Sequence, residues 1–240
     1  MKTGTLAVTS IQIRANSFDL LSRLAEDLAH EIKNPVHAAV INTELIRRRI
    51  AAQSEAEALD RVRVLEVEIG RAHELIDWLL RLLRPSRESV SELVIDQVVS
   101  EILPLIELLG RLSKVDVRFD PVGMEASAFV SVAAFRHALL NLVVNAIDAM
   151  RPEGGRLLIE GACDAEGVRV RLTDTGPGIP TDAIDRIGTP GFSTRPGHAG
   201  LGLSVAHALL EKGGGRIEFV DAGDGSGASF TLWLPRATGA

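Results

Sequence analysis

The 240 residues carry 26 Lys and Arg against 32 Asp and Glu, a formal charge of −6, with 46% hydrophobic residues, 4% aromatic residues and no Tyr. That length suits one large domain or two modest ones, and the composition is that of a chain burying a mainly aliphatic core. The charge excludes a broad basic surface, so nucleic acid is not expected as a partner, and a single Cys163 excludes an internal disulfide or a cysteine-rich zinc site and fits a reducing, cytoplasmic compartment.

The N-terminal stretch MKTGTLAVTSIQIRANS lacks the apolar run of a signal peptide, and no stretch of about 18 apolar residues is apparent, so no membrane span is expected. Residues 1–17 read as an extension. From residue 18 the pattern is that of two long helices. Leu21, Ala25, Leu28, Ile32, Pro35, Ala39 and Ile46 form one apolar stripe, and Val62, Leu65, Ile69, Ala72, Ile76, Leu79 and Leu83 form a second with alternating steps of three and four. The second is a heptad seam, and two such helices do not bury both seams alone. Pairing two hairpins into a four-helix bundle does, so a homodimer is expected. The turn falls near Gln53 and Ser54, and Arg84-Pro85-Ser86 ends the second helix, because proline restricts the residue before it.

Beyond this boundary helical and strand patterns mix. Helices are expected over 91–112, with Pro104 as a kink or break, over 133–150, and after Gly202 up to Gly213-Gly214-Gly215. Strands are expected over 115–119, 129–130, 156–163, 168–174, 216–220 and 228–234. The fold class is α+β: a helical hairpin, residues 18–85, followed by helices layered on a mainly antiparallel sheet, residues 86–240.

Turning about 100° per residue from Leu28 places His30 about 200° away, on the face opposite the buried stripe. Its neutral imidazole is a usable nucleophile near pH 7, Glu31 supplies a carboxylate base beside it, and Asn34 stands one turn on to orient a phosphate oxygen or a water. Pro35 removes an N–H one turn beyond and should loosen the helix there. His37 shares the face but has no motif around it and reads as a surface residue. In the second half three strings carry chemistry. Asn141 and Asn145, four apart in LLNLVVNAIDAM, present two amides on one helix face, suited to a hard cation such as Mg²⁺. Asp174-Thr175-Gly176-Pro177-Gly178 follows a strand and offers a carboxylate beside a flexible turn. Gly197-His198-Ala199-Gly200-Leu201-Gly202 opens a helix, where phosphates approach backbone N–H groups, although no Walker lysine follows.

Residues 30–35, HEIKNP, resemble the phosphoacceptor box of sensor histidine kinases, and the three later strings resemble, in order, the N, G1 and G2 boxes of their ATPase domain, a Bergerat-type fold shared with gyrase, Hsp90 and MutL. The resemblance covers about residues 20–235. It implies an ATP-dependent autokinase that phosphorylates His30 and passes the phosphoryl group to an aspartate of a response regulator receiver domain. Through Glu31 and Asn34 it also implies phosphatase activity toward that partner. It implies Mg²⁺ near Asn141 and Asn145, adenine on Asp174, and a pocket shaped by Gly176, Gly178, Gly200 and Gly202, with Thr231 of the closing strand helping Asp174 through water. The lid departs from the family pattern: IGTPGFSTRPG, residues 187–197, keeps only Phe192 of several aromatics and has Arg195 for Lys. Glycines at 188 and 191 are expected to loosen it and slow the kinase, and Phe at either to order it. An alternative from another class is a nucleotide-responsive dimeric phosphotransfer scaffold with little kinase activity. A simple ATPase is disfavoured by HEIKNP. Incubation with γ-labelled ATP separates the three.

Overall fold

A computed structural model describes residues 10–52, 54–83, 89–194, 200–221 and 227–237. The chain divides into two compact units, Leu21–Pro85 and Met1–Leu20 together with Ser86–Ala240.

The first of these is the helical hairpin. Helix α1 spans Ser10–Ala51 and α2 spans Glu55–Leu83. Leu24, Leu28 and Pro35 are buried along α1, while Ile32, Ala39 and Ile46 are half-buried. Helix α1 runs on through Pro35, so the missing N–H does not end it. At the turn, the Ser54 N–H bonds the Arg49 carbonyl at 2.9 Å and Arg49 pairs with Glu57 at 2.6 Å. On α2, Ala58 and Ala72 are buried, whereas Ile69 and Ile76 of the expected seam are exposed by 55% and 43%. The side chains of Leu21, Ala25, Leu79 and Leu83, and the expected stop at residues 84–86, lie outside the described residues.

The second unit is a sheet with helices packed on it. Strand β1 (Val90–Val94) pairs antiparallel with β3 (Ser127–Ser131). Helix α3 (Ile95–Leu112) and strand β2 (Val115–Asp120) lie between them in the chain. Helix α4 (Val132–Met150), β4 (Gly155–Cys163), β5 (Gly167–Asp174), a 3₁₀ turn (Thr181–Arg186), α5 (Gly202–Lys212), β6 (Arg216–Asp221) and β7 (Ala228–Pro235) complete it. The main sheet has the order β2-β4-β5-β7-β6, antiparallel except for β2–β4. The strict alternation of strand side chains puts Leu157, Ile159, Val168, Val170, Leu172, Leu232 and Leu234 on one buried face. The expected helix over 91–112 is shortened at its start. Val90–Val94 is a strand instead, because its backbone finds a ladder with β3, from Val90 opposite Ser131 to Val94 opposite Ser127. Helix α3 also runs unbroken through Pro104, with Ile95, Val98, Val99, Ile102, Leu105, Ile106 and Leu109 forming its buried stripe. The 3₁₀ turn has no counterpart in the expected elements.

One described helix, Val132–Met150, is long and apolar enough by composition to cross a membrane. It is a core helix: 61% of that window is buried, and it packs against α5, α3 and the sheet.

Candidate functional site

The sheet and α4 bring the chemistry-bearing strings of the second half together. Asp174 ends β5, where the ladder to β7 gives out after Thr173 opposite Ser229. Its carboxylate is buried, and its Oδ1 accepts from the N–H of Gly176 at 2.9 Å and of Ala228 at 3.2 Å. Two backbone donors fix the group in place. Thr175 ties the turn to the next strand. Its Oγ1 accepts from the Arg156 N–H at 2.9 Å and lies 3.8 Å from the Met150 sulfur on α4. Gly176 lies where a Cβ would come within 3.0 Å of Asp174 Oδ1, and Gly178 faces the Gly227 carbonyl at 3.0 Å from such an atom.

Gly227 is a site residue that the sequence reading missed. It has φ +108, and a Cβ there would collide with the Asp174 carbonyl oxygen. Only glycine fits both the backbone angle and the contact. The signal was available in Asp224-Gly225-Ser226-Gly227 leading into β7, but a glycine run ahead of a strand reads first as an ordinary turn.

Thr231 is not brought to Asp174. Register decides this: Leu172 pairs with Phe230, so Asp174 belongs to the face carrying Phe230 and Leu232, and Thr231 points to the other face between Arg171 and Glu218. The β7 group at Asp174 is the Ala228 N–H. The expected water-mediated help from Thr231 is therefore corrected.

On α4, Asn141 is buried, and its Nδ2 donates to the His137 carbonyl at 3.0 Å, which turns Oδ1 away from its own helix. Gly202, the first residue of α5, sits against both amides: a Cβ there would be 3.1 Å from Asn141 Oδ1 and 3.5 Å from Asn145 Nδ2. The N, G1 and G2 strings thus line one region, with the open N–H groups of the α5 start beside two amides. Amide oxygens, a carboxylate fixed by backbone donors and a glycine-lined helix start fit a nucleotide with its hard cation.

Half-buried His137, one turn before Asn141, also escaped the sequence reading. Desolvation pushes its pKa down to about 4, so the ring is neutral at pH 7. Its Nε2 accepts from Asn16 Nδ2 at 2.9 Å, and the same Asn16 nitrogen is 3.4 Å from Asn141 Oδ1. Asn16 is itself buried and belongs to the short stretch of α1 that groups with the sheet unit.

The loop between the 3₁₀ turn and α5 is described to residue 194 and from 200. Arg195, Gly197 and His198 lie outside the described residues. Gly188 and Gly191 have φ +82 and +83. Space is not what demands glycine here: a Cβ at 188 would meet only Leu203 at 4.0 Å, and one at 191 nothing within 4 Å. The backbone does, so Phe at either place would be strained rather than ordering, which corrects the expectation from sequence.

In the hairpin unit, His30 is exposed on α1, Glu31 is half-buried beside it, and Asn34 Nδ2 lies 3.4 Å from Glu31 Oε1. The imidazole, carboxylate and amide therefore share one helical turn, as their spacing predicted, and His37 is exposed one turn further.

Two family models match the chain, the His Kinase A (phospho-acceptor) domain over residues 20–88 and the histidine kinase-, DNA gyrase B- and HSP90-like ATPase over residues 131–238. The chain belongs to the histidine kinases. It has the architecture of their catalytic core, a helical acceptor region followed by a mixed α/β ATPase domain. It is similar to the sensor histidine kinase ZraS of Escherichia coli K12, with 31% identity over 215 residues, 90% of this chain and 45% of ZraS. Sporulation kinase E of Bacillus subtilis 168 is 26% identical over 223 residues, 92% of this chain and 29% of that kinase. The chain thus spans less than half the length of either relative. Among solved structures, the catalytic domain of histidine kinase ThkA is 26% identical with a TM-score of 0.55, over 62% of this chain and 96% of that one. A structure of ThkA in complex with the response regulator protein TrrA shares the fold at 24% identity, with a TM-score of 0.53 over 96% of this chain and 68% of that one.

Proposed function

We propose that the chain is the catalytic core of an ATP-dependent protein-histidine autokinase working in the cytoplasm. Residues 18–85 would serve as the dimerisation and phosphotransfer domain and residues 86–240 as the ATPase domain. The observation that carries this reading is the exposed His30 with Glu31 and Asn34 on one turn of α1, in the same chain as the Asp174–Asn141–Gly202 region. Bound ATP supplies the γ-phosphoryl group. Asp174, fixed through Oδ1, holds the adenine, the start of α5 receives phosphate oxygens, and Asn141 and Asn145 would hold Mg²⁺. An imidazole nitrogen of His30 attacks the γ-phosphorus in line as the bridging oxygen departs, and Glu31 holds or takes the proton on the other nitrogen.

The phosphoryl group then passes to an aspartate of a response regulator, the kind of partner that ThkA holds in its complex with TrrA. Asn34, already turned toward Glu31, would orient a water for the reverse, phosphatase reaction. The homodimer is supported by the apolar side chains that the single chain leaves exposed on its hairpin, among them Ile41, Leu59, Val67, Ile69 and Ile76.

Incubation with γ-labelled ATP tests the reading. Acid-labile label should appear on the protein, and His30→Gln should abolish it while nucleotide binding persists. Full labelling of that variant, or label mapped to His37, would refute the assignment.

A further inference from the structure

The lid of this chain lacks the aromatic residues that would bury it, yet one aromatic contact is present. The Arg186 guanidinium carbon lies 4.1 Å from the centroid of the Phe192 ring. Arg186 ends the 3₁₀ turn, which is anchored by buried Ala183 and by the Ile187 N–H bonded to the Ala183 carbonyl at 3.0 Å. Tight turns follow: Thr189 N–H to the Arg186 carbonyl at 3.0 Å and Phe192 N–H to the Thr189 carbonyl at 3.1 Å. The loop then meets the glycine turn before α5. The Gly191 N–H bonds the Gly200 carbonyl at 3.0 Å, and a Cβ on Gly200 would stand 2.6 Å from the Phe192 backbone. Two residues on, Gly202 lies against Asn141 and Asn145. A continuous line of contacts therefore leads from Arg186 through Phe192 and Gly200 to the amides. Arg186 is exposed, and among the described residues no ion pair engages it, so its charge has the ring face as its described partner.

We propose that Arg186 is a positioning residue for the nucleotide site: its guanidinium, laid over Phe192, holds the first part of the lid against Gly200 and so fixes the glycine turn beside Asn141 and Asn145. The inference rests on reading that region as the nucleotide site. It gives Arg186 a role that no motif assigned. An exposed contact of this kind is worth about a two- to fivefold change in an equilibrium constant.

The test is calorimetric titration of the whole chain with Mg·ADP, beside thermal melting without nucleotide. Arg186→Ala and Phe192→Leu should each weaken binding about two- to fivefold at unchanged melting temperature. The double variant should be no weaker than either single one, because both remove the same contact. Arg186→Lys, which keeps a cation over the ring, should recover part of the loss. Additive losses in the double variant would mean that Arg186 acts on the nucleotide directly and would overturn the proposal. So would unaltered binding by Arg186→Ala, or a loss of binding matched by a fall in melting temperature in both single variants. If the unaltered chain fails to bind Mg·ADP, the nucleotide-site reading itself falls. If it binds and the variants bind equally well, only the role of Arg186 falls.

Discussion

The two units of the chain handle their apolar residues in opposite ways. In the sheet unit the central apolar set closes on itself, with Ile11, Phe18, Val90, Leu112, Val122 and Phe129 left at its surface. Leu139, Val143 and Ile147 of α4, Val205 and Leu210 of α5 and the inner faces of β4, β5 and β7 are all buried within one chain. In the hairpin Val36, Val40, Ile41, Ile50, Leu59, Val64, Val67, Ile69 and Ile76 stay exposed. One unit buries a core of its own, whereas the other carries a heptad seam that a second helix pair would cover. The difference also separates how each holds its chemistry. Asp174 and Asn141 are buried and fixed by backbone groups, as suits a pocket that shapes a ligand. His30 is exposed on a helix surface, as suits the role proposed for it, meeting ATP and then a response regulator.

The most forceful way to break this contrast is to charge the seam. Ile69→Asp combined with Ile76→Asp should leave the sheet unit folded and abolish dimerisation. Burying each Ile is worth about 1.5–3 kcal/mol, so the pair should shift the dimer dissociation constant by about a hundredfold or more. Sedimentation equilibrium measures this. A double variant that remains dimeric at unchanged concentration dependence would show that the seam is not the dimer surface.

A second experiment sharpens the other side, the closure of the sheet unit. His137 is neutral in the folded state because burial pushes its pKa from 6.5 to about 4. A depressed histidine pKa favours the fold when the ring is neutral. The stability it protects is therefore fully present above pH 6.5 and drains away between pH 6.5 and 4, by about 3 kcal/mol at the acid end. Denaturant titrations of the whole chain at several pH values should show this slope in the transition of the sheet unit, and His137→Gln should flatten it whatever the variant does to stability at pH 7. An unchanged slope in the variant would assign the acid sensitivity elsewhere. Since Asn16 donates to the same ring, Asn16→Leu should also alter the slope.

Much of this molecule was legible because its signals repeat or are local. The heptad steps marked α2, the 100° rotation put His30 opposite Leu28, and four-residue spacing put Asn141 and Asn145 together. What failed needed partners distant in the chain. Residues 91–94 read as helix until β3 offers them a ladder. The face of Thr231 follows only from its register with β5, and Gly227 is revealed only by the Asp174 carbonyl pressing against it. His137 looked like one more residue of a core helix, because its donor, Asn16, lies 121 positions away. The glycines of the lid were read as lost burial, whereas their positive φ values show that the backbone itself selects them.

The buried carboxylate of Asp174 gives the next measurable effect. Asp174→Asn keeps the shape but replaces the charge, so Oδ1 would still accept from Gly176 and Ala228 while the charge-assisted component is lost. A hydrogen bond to a charged group is worth about 1.5–3 kcal/mol, so nucleotide affinity should fall about tenfold or more. Unchanged titration with ATP would refute the adenine role.

The smallest expected effect discriminates between two accounts of the lid. If glycine at 191 merely forfeits burial, Gly191→Phe should tighten the loop and help the nucleotide site. If the backbone angle of +83 selects glycine, any side chain there is strained. The cost is about 1–2 kcal/mol for an ordinary residue in the left-handed region. A Cβ at 191 meets nothing within 4 Å, so no clash confuses the comparison, and Gly191→Ala isolates the backbone contribution from that of the ring. Both variants should weaken Mg·ADP binding, Ala by only part of that cost, because the Gly191–Gly200 hydrogen bond depends on that backbone. Gly191→Asn, which tolerates the left-handed region, should bind more tightly than Gly191→Ala. Tighter binding by Gly191→Phe than by the unaltered chain would restore the burial account and set the backbone one aside.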